Sequence, residues 1–312
     1  KGSFITTEDR EWYRIENYDQ MPPFFMSITN PDNIWMFISS TGGLTCGREH
    51  ADRALFPYTT VDKVTESFTH TGSFTSFLVK RDDAYFLWEP LRWNSTKVYK
   101  TERNLWKTIY GDCVRFEEIN HSLGLTFSVS WEGSPEFGIH RSCTLINNFE
   151  KPVSVTYLDG IRNIMPAGSD AHTQNALSNL LDAYKRTESD PELQLGIYAL
   201  SATLTDLAEP SECLLANTVW SYGLDDTTLL LSEKQISTFS SGIPVHSEYD
   251  IKGGRGAYLL SGTLELAPNG ASSWGLCAEL TQDHSSIEQL REKLRNSKKD
   301  FVSALMLNIE SS

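Results

Sequence analysis

The sequence predicts an all-β protein: large antiparallel sheets packed face to face, followed by a C-terminal helix. Three observations carry this. A two-residue hydrophobic alternation recurs along most of the 312 residues, turn residues separate the alternating runs, and near the C-terminus the apolar period changes to that of a helix.

The alternation is clearest in Leu125-Thr-Phe127-Ser-Val129-Ser-Trp131, where every second side chain is apolar and its neighbours are small and polar. In a strand those two sets face opposite sides of a sheet, one towards the core and the other towards water or a ligand. Similar runs occupy 74–79, 84–88, 139–146, 153–158, 257–260 and 274–280. Gly42-Gly43, Asp82-Asp83, Gly133-Ser-Pro135, Asn147-Asn148 and Pro268-Asn-Gly270 punctuate them. Residues 171–188 break the pattern: they are polar around a short Leu177–Leu181 cluster and read as a long loop with a turn or two of helix. After 284, Ser285 and Glu288 form a capping-box pattern, with Ile287, Leu290, Leu294, Phe301, Leu305 and Ile309 at helical spacing. A break is expected near Asn296-Ser297. The division that follows is a β domain over 1–284 and an amphipathic helix over 285–312.

Composition narrows the function. The net charge of −14, from 27 basic and 41 acidic residues, repels nucleic-acid phosphates and anionic lipid, and no basic stripe offsets it. No segment approaches the length of an apolar membrane span, and no signal pattern opens the chain. It begins at Lys1 rather than Met, as a processed or truncated chain does. Five widely spaced cysteines without a C-x-x-C pair read as buried free thiols in a reducing compartment, hence a cytoplasmic location.

Motifs of common chemistries are missing from the sequence: no G-x-S-x-G elbow, no phosphate-binding glycine loop, no H-E-x-x-H. Lys252-Gly-Gly-Arg-Gly256 is glycine-rich but precedes a strand pattern, which makes it a tight turn. The seven histidines, among them His50, His70, His121 and His140, show no metal-binding spacing, so no metal site is expected. A glycosidase needs two carboxylates about 5–10 Å apart, a distance that sequence does not reveal. The cluster Arg48, Glu49, His50, Asp52 and Arg53 is better read as a salt-bridged scaffold loop than as a catalytic set. Trp88, Trp93 and Trp106, with Arg92 and several tyrosines nearby, suit a carbohydrate, whose C–H faces stack on aromatic planes; core packing explains the same tryptophans equally well.

Several stretches, in order, resemble one family. They are PPFFMSITNPDNIWMFISSTGGLTCGREHADRALFPYTTVDKV, YFLWEPLRW, YGDCVRFEEINHSLGLTFSVSW, RSCTLINNFEKPVSVTYLDGIRN and SGTLELAPNGASSWGLCAEL. Together they resemble the N-terminal region of the cellobiose-phosphorylase-like inverting glycoside phosphorylases (the glycosyltransferase family 36 type). The resemblance implies a galactose-mutarotase-like β-supersandwich, with the C-terminal helix as the linker to an (α/α)6 catalytic barrel of about 250–300 further residues. It implies a domain with no catalytic residue of its own and no cofactor, inorganic phosphate being a co-substrate of the whole enzyme. Its expected partners are an oligosaccharide or β-glucan, its own C-terminal barrel, and a second copy in a homodimer. The substrate-contacting set it suggests, joined with the aromatic cluster, is Trp88, Arg92, Trp93, Arg162, Asn163, Tyr184 and Arg186. Two alternatives are a stand-alone sugar mutarotase or epimerase, whose Asn-His-x-aromatic-Asn-Leu signature is met only by Asn120-His121-Ser-Leu, and a carbohydrate-binding module.

Overall fold

Apolar side chains on every second residue can be buried only if two sheets present those faces to each other, and this is what the chain does. A computed structural model describes residues 1–7, 10–30, 32–92, 95–203 and 212–311. The strands β1 (Gly2–Thr6) and β2 (Glu11–Glu16) come first, then β3 (Phe25–Thr29), β4 (Ile34–Ser39) and β5 (Leu44–Arg48). Helix α1 (Val61–Glu66) and a 3-10 turn (Ser67–Thr69) lead to β6 (Gly72–Arg81) and β7 (Ala84–Trp88). Beyond α2 (Ser95–Val98) come β8 (Thr101–Thr108), β9 (Cys113–Asn120), β10 (Leu125–Ser134), β11 (Gly138–Asn147) and β12 (Val153–Ile164). Helices α3 (Ala171–Ala176) and α4 (Ser178–Tyr184) precede β13 (Lys185–Asp190), β14 (Leu195–Leu200), β15 (Ala216–Tyr222) and β16 (Thr228–Leu230). The chain continues through α5 (Ile236–Ser240), β17 (Asp250–Lys252), β18 (Gly256–Leu266) and β19 (Ala271–Gln282) to α6 (His284–Ser311).

Among the described residues these strands form three antiparallel sheets: eleven strands in the order β1-β2-β8-β9-β10-β11-β19-β15-β14-β13-β17, five in the order β16-β18-β12-β6-β7, and β3-β4-β5. The expected all-β architecture with a C-terminal helix is therefore observed. Phe127, Val129 and Trp131 of the large sheet are buried in one core with Phe77 and Val79 of β6 and Val155, Tyr157 and Ile161 of β12. Thr126 and Ser128, the polar half of the same alternation, lie half-buried on the opposite face.

One polar cluster interrupts that core. Arg141 on β11 is fully buried and grips Asp159 on β12 with both terminal nitrogens, at 2.9 and 2.8 Å. Asp159 also accepts from Thr75 Oγ1 (2.6 Å) and Trp274 Nε1 (2.7 Å), and Arg141 Nε donates to Ser73 (2.9 Å). Burial would favour the neutral guanidine, but the Asp159 carboxylate outweighs it and holds the proton on Arg141 more firmly than usual.

Residues 171–188 differ from the expected loop. Asp170 caps α3 by accepting from the Thr173 N–H (2.7 Å), and the stretch from Lys185 onward is a strand paired with β14 and β17. Its side chains are charged, so it lacks the apolar alternation that marks the other strands. Helix α6 also begins differently. Asp283, rather than Ser285, accepts from the Ser286 N–H (2.8 Å), because the helix starts at His284 and the cap must precede it. The expected break is present at Ser297, with φ −153° and ψ 41°.

The apolar stripe of α6 packs on the outer face of the large sheet. Leu294, Leu305 and Ile309 are buried there with Phe137, Leu195, Trp220 and Cys277, and Phe301 packs against them. Phe301 lies 5.1 Å from Trp220 and 4.9 Å from Phe137, centroid to centroid. Beneath the end of the helix Arg10 donates to Glu132 (2.9 Å) and to the Ile309 carbonyl (3.5 Å). His140 bridges Glu132 (Nδ1, 3.1 Å) and the Tyr222 hydroxyl (Nε2, 2.7 Å). Burial pushes the Glu132 carboxyl up, but the bonds from His140 and Arg10 win and hold it at about 2.

Two outcomes are expected. Arg141→Ala strands the Asp159 carboxylate in the core and should cost about 3–5 kcal/mol in denaturant unfolding; a loss below about 1 kcal/mol would show that the pair does not hold the sheets together. For Glu132 the native pKa lies below the unfolded one, so its contribution is complete above pH ~4.5 and disappears as pH falls through about 2. Glu132→Gln should therefore be less stable than the parent at pH 7 by about 2–3 kcal/mol, and the two unfolding curves should converge in acid.

Candidate functional site: a basic cleft at one end of the five-stranded sheet

The start of β6, the end of β12 and the start of β18 meet at one end of the five-stranded sheet, where Gly72 pairs with Arg162 and Ile164 with Gly256. The β12–β18 register shifts between Arg162 and Ile164, and Asn163 adopts a left-handed conformation (φ 58°). This is a bulge occupied by a residue type that tolerates it. The bulge directs Asn163 Nδ2 to Thr71 Oγ1 (2.8 Å). Arg162, just before it, lies over the Phe74 ring at 4.7 Å, donating to Glu233 (3.2 Å) and the Phe68 carbonyl (3.4 Å).

Arg92 reaches the same ring from another direction, its guanidinium carbon 5.2 Å from the Phe74 centroid. A buried pair beneath it sets its loop. Glu118 accepts from Arg103 Nε (2.7 Å), from Trp88 Nε1 (2.7 Å) and from the Leu91 N–H (2.8 Å), while Arg103 Nη2 donates to the Arg92 carbonyl (2.5 Å). Leu91 is thereby held at φ 63°, a left-handed geometry uncommon for a non-glycine residue and sustained here by fixed partners on either side.

Three further basic groups, Arg255, His70 and Lys185, border the cleft. Gly253 and Gly254, at φ 69° and 81°, form the turn expected from the KGGRG stretch. Their N–H groups donate to the Lys185 and Asp182 carbonyls (2.9 Å each), and the turn presents exposed Arg255. His70, half-buried, follows the 3-10 turn beside Thr71 and Asn163. The electrostatics show mutual crowding. Burial and then Arg92 lower Arg162 to about 10, against the pull of Glu233. Burial, Arg255 and Arg162 lower His70. Burial lowers Lys185, opposed by its Asp182 partner and reinforced by Arg255. Phe68, Phe74, Pro90 and Leu91 give the adjoining recess an apolar wall.

Of the residues expected from the sequence to contact substrate, the structure brings Arg92, Arg162 and Asn163 to this one end. Trp88 is fully buried with its N–H on Glu118, so its ring faces the core and its part is to support the Arg92 loop. Tyr184 packs partly buried against Met165, Leu181 and Leu200. Arg186 lies on β13, paired with Glu188 (2.7 Å) and Asp250 (3.6 Å). Trp93 lies outside the described residues. His70, Phe74, Glu233 and Arg255 were not anticipated. In the sequence Arg255 falls in the glycine-rich KGGRG turn and His70 among histidines without metal-binding spacing, and neither context signals a site.

The charged cluster at 48–53 does not converge on one point. Arg48 donates to the Pro135 carbonyl (3.1 Å) and Glu279 (2.9 Å), Arg53 pairs with exposed Glu49 (2.5 Å), and Asp52 accepts from the Ala171 N–H (2.8 Å). These contacts tie the β4–β5 hairpin to the large sheet and to α3. Among the described residues no three His, Cys, Asp or Glu side chains are placed to hold a metal ion.

His70 provides a probe of the crowding. Replacing exposed Arg255 with Gln removes one of the cations that lower it, so its imidazole should titrate at higher pH in Arg255→Gln than in the parent, read by NMR. An unchanged titration would mean that the turn does not face His70.

No family model matches the chain, nor does any curated protein. Solved structures with similar folds include a polysaccharide lyase (TM-score 0.45, 11% identity, 87% of this chain and 34% of that one). A protein described as a kojibiose phosphorylase, from the human microbiome, aligns with TM-score 0.40 and 11% identity over 75% of this chain and 26% of its own. One described as an aldose 1-epimerase, from Klebsiella pneumoniae, aligns with TM-score 0.45 and 10% identity over 96% of this chain and 92% of its own. The chain thus spans about a third of the lyase and a quarter of the phosphorylase.

Proposed function

We propose that this chain is a non-catalytic β domain of a carbohydrate-active enzyme of the glycoside phosphorylase type, and that it holds an oligosaccharide at the basic cleft. In this reading the β-supersandwich is of the galactose-mutarotase kind, and the catalytic acid and the inorganic phosphate co-substrate belong to a helical barrel that α6 joins to the sandwich. A second copy of the chain completes the assembly as a dimer.

The observation that carries the reading is the make-up of the cleft. Arg92 borders an apolar recess with Phe68, Phe74 and Leu91, Arg162 lies over the same Phe74 ring, and Asn163 lines the neighbouring hollow with His70 and Thr71. That combination matches a sugar, with its hydroxyl rim and C–H faces. Glu233, one carboxylate at the cleft, is paired with Arg162, an arrangement that suits positioning better than proton donation to a leaving group.

One observation favours a second reading, a mutarotase or epimerase. His140 and Glu132 are hydrogen-bonded to each other, and such an acid–base pair could open a sugar ring. Both are buried, however, and Arg10 bonds both Glu132 and the Ile309 carbonyl of α6.

The chain should show no phosphorolysis of β-glucans and no acceleration of the optical-rotation change of freshly dissolved glucose or galactose. Calorimetric titration should detect oligosaccharide binding that weakens about tenfold, roughly one lost charged hydrogen bond, in Arg92→Ala. Turnover in either assay, or affinity indifferent to Arg92, would overturn the proposal.

A further inference from the structure

We infer that the sugar held at this end of the molecule carries an apolar group, and that an aromatic groove beside α1 receives it. The ligand class is a glycoside with an aryl or alkyl aglycone. The inference rests on the carbohydrate reading above and adds what the sugar carries.

The groove is built on the outer face of the three-stranded sheet. Ile28, Ile34, Met36 and Ile38 are buried in the main core, so the alternate positions face outward, where polar residues are the rule. Instead Phe25, Phe37 and Trp35 stand there in a row. Their successive ring centroids are 5.8 and 5.5 Å apart, and Tyr58 meets Trp35 at 5.5 Å. Helix α1 is seated closely against the β4–β5 turn: a Cβ on Gly43 would lie 1.9 Å from the Val64 carbonyl. Between helix and sheet lies a groove of about 800 Å³, walled by Phe25, Phe37, Tyr58, Val61 and Val64. Phe25 and Val61 are 37% and 52% exposed although apolar.

This groove offers little to a sugar ring. Among its polar lining residues, Thr45 has its hydroxyl on the Phe56 carbonyl (3.1 Å), and Asn175 donates to the Ala171 carbonyl (2.7 Å). Sugar hydroxyls buried against these walls would leave water without gaining partners. An aryl or alkyl group gains there from each carbon it buries.

The neighbouring hollow, about 260 Å³, has the opposite character and shares Thr59 and Lys63 with the groove. It is the hollow of Asn163, Thr71 and His70, and Glu66 joins them. Asn163 donates to Thr71 (2.8 Å) and has Oδ1 to spare, while His70 meets Thr69 through Nδ1 (3.0 Å) and has Nε2 to spare. Exposed Glu66 makes no ion pair among the described residues. These groups can serve sugar hydroxyls. A polar hollow that adjoins an apolar groove matches a ligand that is polar at one end and apolar at the other. An unsubstituted oligosaccharide, polar along its whole length, suits the hollow and not the groove.

The test is calorimetric titration of the chain with methyl, phenyl and octyl β-glucosides and β-galactosides, the octyl compounds below their micellar concentration. Cellotriose and 1-octanol serve as references. The expected result is that, for one of the two sugars, the phenyl or octyl glycoside binds at least about tenfold more tightly than the methyl glycoside. Phe25→Ala and Val61→Ser, both at exposed positions, should remove most of that gain and leave the methyl glycoside unaffected. Asn163→Gly, which tolerates the left-handed backbone, should weaken all the glycosides alike. Equal binding of the methyl, phenyl and octyl glycosides would overturn the inference and leave the carbohydrate reading standing. Binding of no sugar, cellotriose included, would overturn both. Binding of 1-octanol as tight as that of the octyl glycoside would overturn the inference, since the groove would then act without the hollow. So would a dimer that Phe25→Ala dissociates in sedimentation equilibrium, which would make the groove an interface between copies.

Discussion

The Arg141–Asp159 pair is the constraint on which the arrangement of the two larger sheets depends. Apolar contacts between sheets are undirected and tolerate sliding, whereas a bidentate ion pair between β11 and β12 fits in one register. A buried pair is stable only when its remaining donors and acceptors are satisfied. Here Thr75, Ser73 and Trp274 complete it from two further strands, β6 and β19. Four strands, two from each sheet, are thereby fixed around one carboxylate.

The cleft inherits its geometry from that lock. On β6, Ser73 and Thr75 point inward to Arg141 and Asp159, so Phe74 between them must point to the opposite face, where Arg92 and Arg162 lie over it. On β12, Asp159 and Arg162 are three residues apart and therefore face opposite sides as well. A slip of one residue would exchange the faces of both strands, moving Phe74 from its own buried cluster to the space between the sheets and the Asp159 carboxylate to the opposite face. The same directional bonds that align the sheets thus decide which side chains reach the cleft.

This dependence explains what could be read from the sequence. Period-two alternation states which face a side chain takes, so the strands around Phe127 and Tyr157 were legible, as was the helix over 284–311, from its change of period. The strand from Lys185 was not, because its charged residues conceal the pattern. Alternation does not say which strands are neighbours, and the cleft is assembled entirely by neighbours. Residues 70, 92, 162 and 255 meet only once β6, β12 and β18 are paired. Arg92, Arg162 and Asn163 could be nominated by residue type and resemblance, but nothing local connected them to His70 or Arg255. Trp88 shows the converse difficulty: an indole suits a sugar or a core equally, and only the buried Glu118 beneath it decides.

Helix α6 follows from the shape of the surface it covers. A straight helix of 28 residues would run about 42 Å, whereas a sheet of eleven strands twists continuously and falls away from any straight line laid across it. The break at Ser297 divides the apolar stripe into Ile287, Leu290 and Leu294 on one side and Phe301, Leu305 and Ile309 on the other, so each half can settle on its own part of the curved face. Packing alone would still let the second half rotate about its axis. The hydrogen bonds from Ser134 to Asn308 (2.5 Å) and from Arg10 to the Ile309 carbonyl remove that freedom. Arg10 is itself oriented by Glu132 and, through it, by His140 and Tyr222. The buried polar chain on this face therefore does for the helix what Arg141 and Asp159 do for the sheets: it converts an apolar contact that could be made in several ways into one that is made in a single way.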